Sequence, residues 1–559
     1  MDEVLKEKLK KYFEFIYPDI NTNEIIARVE EIVEKYNKRS KNSSWINEKD
    51  AMLITYGDSI TEEGKPGLET LNKFLMKNVK EAISTVHILP MFPYTSDDGF
   101  SVVDYKKINP DLGNWNNVEE LSKNYKLMFD AVVNHISKSS SWFQKYLKQE
   151  KPYDEYFITC DPNADYSKVT RPRALPLLTK FNTVDGEKYL WTTFSTDQID
   201  LNFKSIDVYL EILDVLLTYA SRGARFIRLD AIGFLWKELG TTCMHHPKTH
   251  EIIKSYRAIL DEYMPGTFII TETNVPHKEN ISYLGNGNDE AHLVYQFPLP
   301  PLTMFTILTG NATKLSEWAD ELEEPKPGTS YFNFLSSHDG IGVRPVEGIL
   351  NEEEIQILLD NNLKNGGVIS YKNNSDGSKS PYELNINYQD ALASPDESDE
   401  IRIKKFIAAE TILLSMQGLP GIYIHSLIGS RNDYYGKEIS GIPRRINREK
   451  IDINYLEEQL SKPTNRKKVF DEMLRRLGIR SEHKEFAPDS KQKILKLDKR
   501  VFALERISDD GKVLVIINVS LDEIDLNVGI KGIDLLTGNC VDKKVELNPL
   551  QSVWILIKE

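Results

Sequence analysis

Cysteine is almost absent. Cys160, Cys243 and Cys540 are the three in 559 residues, far apart and odd in number. A disulfide framework is not what organises such a chain, and a reducing compartment, the cytoplasm, is the expected setting. Long apolar runs are also missing. No stretch approaches the roughly 18 residues of a membrane helix. The opening residues, MDEVLKEKLKKYFEF, are charged and amphipathic rather than the apolar core of a signal peptide. Positive charge is in deficit: 70 Lys and Arg face 85 Asp and Glu, a net of −15 with a pI near 5.4. That argues against nucleic acid and against a membrane surface as partners. It also means that an anionic substrate has to be met by a local basic cluster. No internal repeat is found.

What is present is a hydrophobic fraction of 40%, enough for a large buried core, in a chain too long for one bare domain. Residues 1–50 read as a helical extension. Apolar residues at helical spacing mark helices over 4–16 and 23–38, with breaks at Pro18 and at 41–44. From residue 51 short apolar runs alternate with amphipathic stretches. The runs are 52–56, 86–92, 127–133, 224–230, 267–272, 292–297, 331–336 and 421–424; the helical stretches include 68–82, 207–221, 251–263 and 401–416. Eight continuous apolar runs separated by helices predict an α/β fold, a (β/α)8 TIM barrel over 51–135 and 202–484. Two stretches are too long to be plain connections. Residues 136–201 form an inserted domain after strand 3. Residues 340–400, with a turn cluster at 372–378, form an inserted region after strand 7. Residues 485–559 carry short strands without helices, at 493–497, 501–507, 512–519, 523–526 and 552–557, and predict a C-terminal antiparallel β domain.

Three of the apolar runs lead into acids: Arg225-Phe-Ile-Arg-Leu-Asp230, Phe268-Ile-Ile-Thr-Glu272 and Phe334-Leu-Ser-Ser-His-Asp339. An acid at the end of a buried strand is costly unless it works at the strand mouth. Three such acids suit cleavage of an α-glycoside by attack, protonation and sugar binding. Asp230 is the candidate nucleophile, with Arg228 two residues earlier on the same side of the strand to keep it ionised. Glu272 ends a dry run near that charge, which suits a general acid. Asp339, beside His338, suits sugar hydroxyls. In Asp130-Ala-Val-Val-Asn-His135, His135 suits a sugar hydroxyl. In Ser96-Asp-Asp-Gly-Phe100, Asp97 suits hydroxyls and Phe100 a sugar platform. Taken singly, each has a plainer reading: a structural Arg–Asp pair, a capping Glu, a satisfied interior His or an Asp-Gly turn.

Together, the order Asp-x-x-x-Asn-His, Arg-x-Asp, Glu and His-Asp resembles glycoside hydrolase family 13, the α-amylase family, from about Met52 to the C-terminus. Leu53-Ile-Thr-Tyr, Val86-His-Ile-Leu-Pro, Arg171-Pro-Arg-Ala-Leu-Pro, Glu238-Leu-Gly-Thr-Thr-Cys, Pro298-Leu-Pro-Pro-Leu and His338-Asp-Gly-Ile-Gly are similar to its sucrose-phosphorylase subfamily. The resemblance implies a retaining phosphorylase with Asp230 as nucleophile, Glu272 as acid/base and Asp339 as transition-state stabiliser. It places Asp97, His135, Arg228, His338 and Arg444 around a glucose, and Arg173 on the phosphate. The chain departs from sucrose phosphorylases at Phe234 (Tyr there), Asn274 (His there) and Glu383 (Gln there), in the acceptor segment Ser380-Pro-Tyr-Glu-Leu-Asn385 that also holds Tyr382. With the N-terminal extension, this set is similar to the glucosylglycerate phosphorylases and implies D-glycerate as leaving group. The implied small molecules are an α-glucoside, inorganic phosphate, glucose 1-phosphate and glycerate. The alternatives are a sucrose, sucrose 6-phosphate or glucosylglycerol phosphorylase, a hydrolase, or a non-catalytic sugar binder. Cys243, His245, His246 and His250 have metal-like spacing, but the same segment resembles a subfamily loop that binds none, so no metal and no cofactor are expected.

Overall fold

A computed structural model describes residues 1–39, 44–173, 175–374 and 378–557. Residues 41–43 of the predicted break at 41–44, the turn residues 375–377 and Ala174 of the Arg-Pro-Arg-Ala-Leu-Pro segment lie outside the described residues. Eight parallel strands close a barrel: β1 Met52–Thr55, β2 Thr85–Ile88, β3 Lys126–Ala131, β4 Ala224–Leu229, β5 Phe268–Thr271, β6 Leu293–Tyr295, β7 Ser330–Phe334 and β8 Leu419–Tyr423. Their order around the barrel follows the chain, with β8 paired to β1. Both faces of these strands are covered, by helices outside and packed side chains inside, which is why they read as unbroken apolar runs. Side chains fill the interior: a Cβ on Gly421 would stand 2.4 Å from Phe332, so only glycine fits there.

The helices α1 Glu3–Ile16 and α2 Thr22–Val33 clamp onto the outside of the barrel. Leu5, Leu9, Phe13 and Ile16 form the buried face of α1, and Phe13 meets Tyr209 edge-on at 5.4 Å. The second helix stops at Val33 rather than at 38. Beyond it the Tyr36 hydroxyl bonds the Asp214 carboxylate and Thr218 at 2.8 and 2.9 Å, and this turns the chain across the helix Ile206–Ser221.

After β3 the inserted segment folds its strands Thr159–Cys160, Leu178–Thr183 and Gly186–Trp191 into one antiparallel sheet. A separate strand, Gln198–Asp200, pairs with His135–Ser137. After β7, strands Ile341–Gly342, Val368–Asn373 and Lys379–Asn385 make a second small sheet. Both insertions rise from the C-terminal mouth of the barrel.

The last strands form one six-stranded antiparallel sheet, Lys491–Leu495, Val501–Ser508, Gly511–Asn518, Ile524–Asp534, Cys540–Leu547 and Ser552–Ile557. Cys540–Leu547 was not expected from the sequence. It pairs at the sheet edge and is mostly exposed, so Asp542, Lys543 and Lys544 mask its strand pattern. Among the described residues, no helix is long and apolar enough to cross a membrane.

Candidate active site

Asp230 follows β4 directly and Glu272 follows β5 directly. Each carboxyl therefore leaves the barrel where strand pairing stops. Asp339 arrives five residues beyond β7. All three line one cleft at the barrel mouth.

Beneath them Arg228 is the anchor. It is 2% exposed. Its Nη1 donates to Asp230 Oδ1 at 2.8 Å and to Asp130 on the paired residue of β3, and its Nε donates to the Tyr295 hydroxyl at 3.1 Å. Its Nη2 stands 3.9 Å from Glu272 Oε1. Ala231 takes a left-handed backbone conformation (φ 47°), and its N–H donates to Glu272 Oε2 at 3.0 Å. The two carboxyls are thus tied to one guanidinium and one turn.

Burial raises both Asp230 and Glu272 against the pull of Arg228; Glu272 adds to the rise at Asp230, and Asp339 and Asp130 add to the rise at Glu272. Arg228 at 2.8 Å favours charge on Asp230, whereas Glu272 stands farther from that guanidinium. Burial also works on Asp339, but Arg444 Nη1 at 2.7 Å, with His338, Arg448 and Arg228, overrides it and holds that carboxyl well below the usual range. Three similar acids thus meet different electrostatic surroundings in one cleft.

One side of the cleft comes from the loop after β2. Asp97, Asp98 and Gly99 all have positive φ, and a Cβ on Gly99 would meet Pro90 at 2.9 Å. This tight turn sends neighbouring carboxyls to different partners. Asp97 faces the cleft, while Asp98 pairs with Arg445 and Arg448. Phe100 stacks on His338 at 4.8 Å with the rings nearly parallel. Burial pushes His135 down to about 4 and His338 down to about 3, so both are neutral at pH 7.

Two arginines line the cleft beside Asp97 and Asp339. Arg444 donates through Nε and Nη2 to the two oxygens of Glu383, at 2.9 and 2.7 Å. Glu383 also accepts the Gly340 N–H at 2.9 Å. Glu383 is therefore paired, and it steers Arg444 towards Asp339. Arg173 has a lighter tether, one bond to Asp97 at 3.2 Å, and its side chain is 31% exposed. Asn274 and Tyr382 also line the cleft.

Two residues expected at the site are set back from it. Arg228 lies under Asp230 rather than on the surface of the cleft. Phe234 stands behind Phe194, ring centres 5.5 Å apart, and Phe194 is the ring that lines the cleft. Arg171 folds onto the Leu175 carbonyl of its own loop. The His-rich segment is drawn into separate pairings: His250 with Glu290, His245 with Tyr283 and Glu279, and His246 with Glu238. Sequence reasoning missed Phe194 and Gln198 from the first insertion, Phe297 and Pro300 after β6, and the Asp98–Arg445–Arg448 lock. None of them is an acid closing an apolar run, which is the signal that exposed Asp230 and Glu272.

A profile for the alpha-amylase catalytic domain matches residues 78–347. The glucosylglycerate phosphorylase of Allomeiothermus silvanus is 47% identical over 99% of both chains. That of Escherichia coli (strain K12) is 44% identical over 99% of this chain and all of the other. Among solved structures, sucrose 6F-phosphate phosphorylase from Thermoanaerobacter thermosaccharolyticum superposes with a TM-score of 0.75 at 25% identity, over 91% of this chain and 100% of the other.

Proposed function

The chain belongs to the glucosylglycerate phosphorylases of the alpha-amylase family, and from that membership we propose the following reaction. The enzyme carries out reversible phosphorolysis of 2-O-(α-D-glucopyranosyl)-D-glycerate, giving α-D-glucose 1-phosphate and D-glycerate by double displacement. An Asp230 oxygen attacks the anomeric carbon as the bond to the glycerate oxygen breaks. The electron pair of that bond goes to the leaving oxygen, which takes the proton of Glu272. A β-glucosyl ester on Asp230 results, and glycerate departs. A phosphate oxygen then attacks the same carbon from the vacated face, and the Asp230 carboxylate leaves. Glu272 accepts the proton that the attacking phosphate carries. Two inversions give net retention.

The observation that carries this reading is that Arg173 and Arg444 line the same cleft as Asp230 and Glu272. A hydrolase uses neutral water and needs no lightly held cation such as Arg173 there. A phosphorylase with a carboxylate acceptor has to hold two anions inside an acidic protein. Asn274 offers amide donors to the acceptor, and Glu383 keeps Arg444 in place. The substrates are small molecules, and the unpaired Cys160, Cys243 and Cys540 fit the cytoplasm.

The test is acceptor choice in the synthetic direction, with glucose 1-phosphate as donor. A site that pairs the polar groups of its substrate rejects analogues lacking them by large factors. Glycerate is expected to exceed fructose by orders of magnitude in kcat/KM. Comparable rates with fructose would return the reading to a sucrose phosphorylase.

A further inference from the structure

The N-terminal extension packs along the β/α unit that carries Asp230. The helix Ile206–Ser221 leads into β4, and the helix Pro247–Tyr263 follows it. Arg28 and Tyr36 hold the extension to the first of these through Asp207 and Asp214. The Arg39 N–H donates to the Tyr263 carbonyl, where the second helix ends, at 3.0 Å. At the far end of α1, Lys248 Nζ donates to the Ile16 carbonyl at 2.9 Å. Ile16 closes α1, so its carbonyl lacks a partner within the helix and lies at the negative end of the helix dipole. The Tyr17 hydroxyl donates to the Phe203 carbonyl at 2.9 Å.

Lys248 and Tyr17 both meet Trp236. The ammonium stands 4.5 Å from the centre of the indole, and the Tyr17 ring meets it edge-on at 6.4 Å. Trp236 is 4% exposed, and its N–H donates to Thr249 Oγ1 at 3.2 Å. The next residue, Lys237, points the other way, to Asn134 Oδ1 and Asp200 Oδ2, each at 2.7 Å. The turn from 231 to 237 is thus pinned at its end from two sides, and the extension supplies the outer pin. The start of the turn is strained. Ala231 has φ 47°, a left-handed conformation that a residue with a Cβ keeps only where its surroundings hold it. That conformation aims the Ala231 N–H at Glu272 Oε2, 3.0 Å away. Between strain and pins lies a single buried helical turn, Ile232–Phe234.

We propose that the extension is a brace for catalysis: through Tyr17 and Lys248 it fixes Trp236, and with it the turn that keeps the Ala231 N–H on Glu272. Tyr17 and Lys248 are positioning residues, and neither lines the cleft. The role of Glu272 as proton donor rests on the reaction proposed above; the bracing of the turn does not. The N–H stabilises the carboxylate that forms as Glu272 gives up its proton, so a turn that drifts costs proton donation. Asp230 is held separately, by β4 and by Arg228 at 2.8 Å, so its attack is spared.

The test sets the full-length double variant Tyr17→Leu, Lys248→Met beside Phe13→Ala, which loosens α1 at Tyr209 and leaves both contacts to Trp236. Each is assayed well below its melting temperature on glucosylglycerate and on α-glucosyl fluoride, whose leaving group needs little proton donation. On glucosylglycerate the double variant is expected to lose about tenfold in kcat, the worth of one charged hydrogen bond, and on the fluoride less than about twofold. The alkaline limb of its pH profile should move up, because the N–H favours ionised Glu272. Phe13→Ala is expected to keep both rates. Parent-like kinetics in the double variant, or an equal loss on both donors, would overturn the proposal. Deuterium exchange of the amides from 231 to 237 reads the brace without turnover. It should quicken in the double variant and not in Phe13→Ala; unchanged exchange in the double variant would also overturn the proposal. Lys248→Met alone leaves the Tyr17 contact in place and serves if the double variant does not fold. It should show the same preference for the fluoride at about threefold, the worth of a cation over an indole, and no preference would overturn the role of Lys248. Quickened exchange in the double variant, together with a parent inactive on glucosylglycerate, would count against the proposed function and not against the brace.

Discussion

Arg173 and Arg444 face the same cleft but are held differently. Arg444 is committed to Glu383 and Asp339, whereas Arg173 has one long bond to Asp97. Arg173 is therefore the cation best able to turn to phosphate. Arg173→Ala removes a charged hydrogen bond worth about 1.5–3 kcal/mol. The expected outcome is a KM for phosphate raised at least tenfold and a larger share of free glucose, with first-step cleavage of the glucoside less affected. Steady-state kinetics with phosphate varied checks it. At this scale the acids were legible because Asp230 and Glu272 each end a dry strand and Asp339 follows one closely. The Arg444–Glu383 fork and the Lys237–Asn134 bond were not. Their partners are 61 and 103 residues apart, and no local pattern marks a pairing of that range.

The elements were read from periodicity, and they succeeded or failed by burial. The eight barrel strands were legible because both faces are covered. Cys540–Leu547 was not, because its exposed edge carries charge. The second helix was overextended because the pull of Tyr36 towards Asp214 is tertiary and leaves no mark on spacing. The first helix is the clearest case of an amphipathic face meeting its partner, with Phe13 fully buried against Tyr209. Phe13→Ala deletes that ring from a closed interface and is expected to cost about 3–5 kcal/mol. The interface lies on the outside of the barrel and includes none of the residues that line the cleft. Thermal unfolding should therefore shift down clearly, while kcat at low temperature stays near that of the parent.

For the whole molecule, acidity is both a solubility device and an obstacle to anionic substrates, which the arginines of the cleft offset locally. Acidity also sets a pH dependence of stability. Glu410, on the helix Asp399–Ser415, is fully buried, and burial pushes it up to about 8 from an ordinary 4.5, with Ser426 pulling weakly the other way. A carboxyl raised on folding binds its proton more tightly in the native state. Its contribution is complete below about pH 4.5 and is lost as pH rises towards 8. Glu410→Gln should therefore melt progressively higher than the parent as the buffer is taken from pH 5 to pH 8. A difference independent of pH would contradict the burial argument. The central claim, retaining phosphorolysis through Asp230, is tested most directly by 1H NMR of the products from glucosylglycerate and phosphate, for the parent and for Asp230→Asn. The parent should release glycerate and α-glucose 1-phosphate in equal amounts, nothing without phosphate, and the variant neither product. Formation of β-glucose 1-phosphate, of free glucose as the main product, or of any comparable turnover by Asp230→Asn would contradict it.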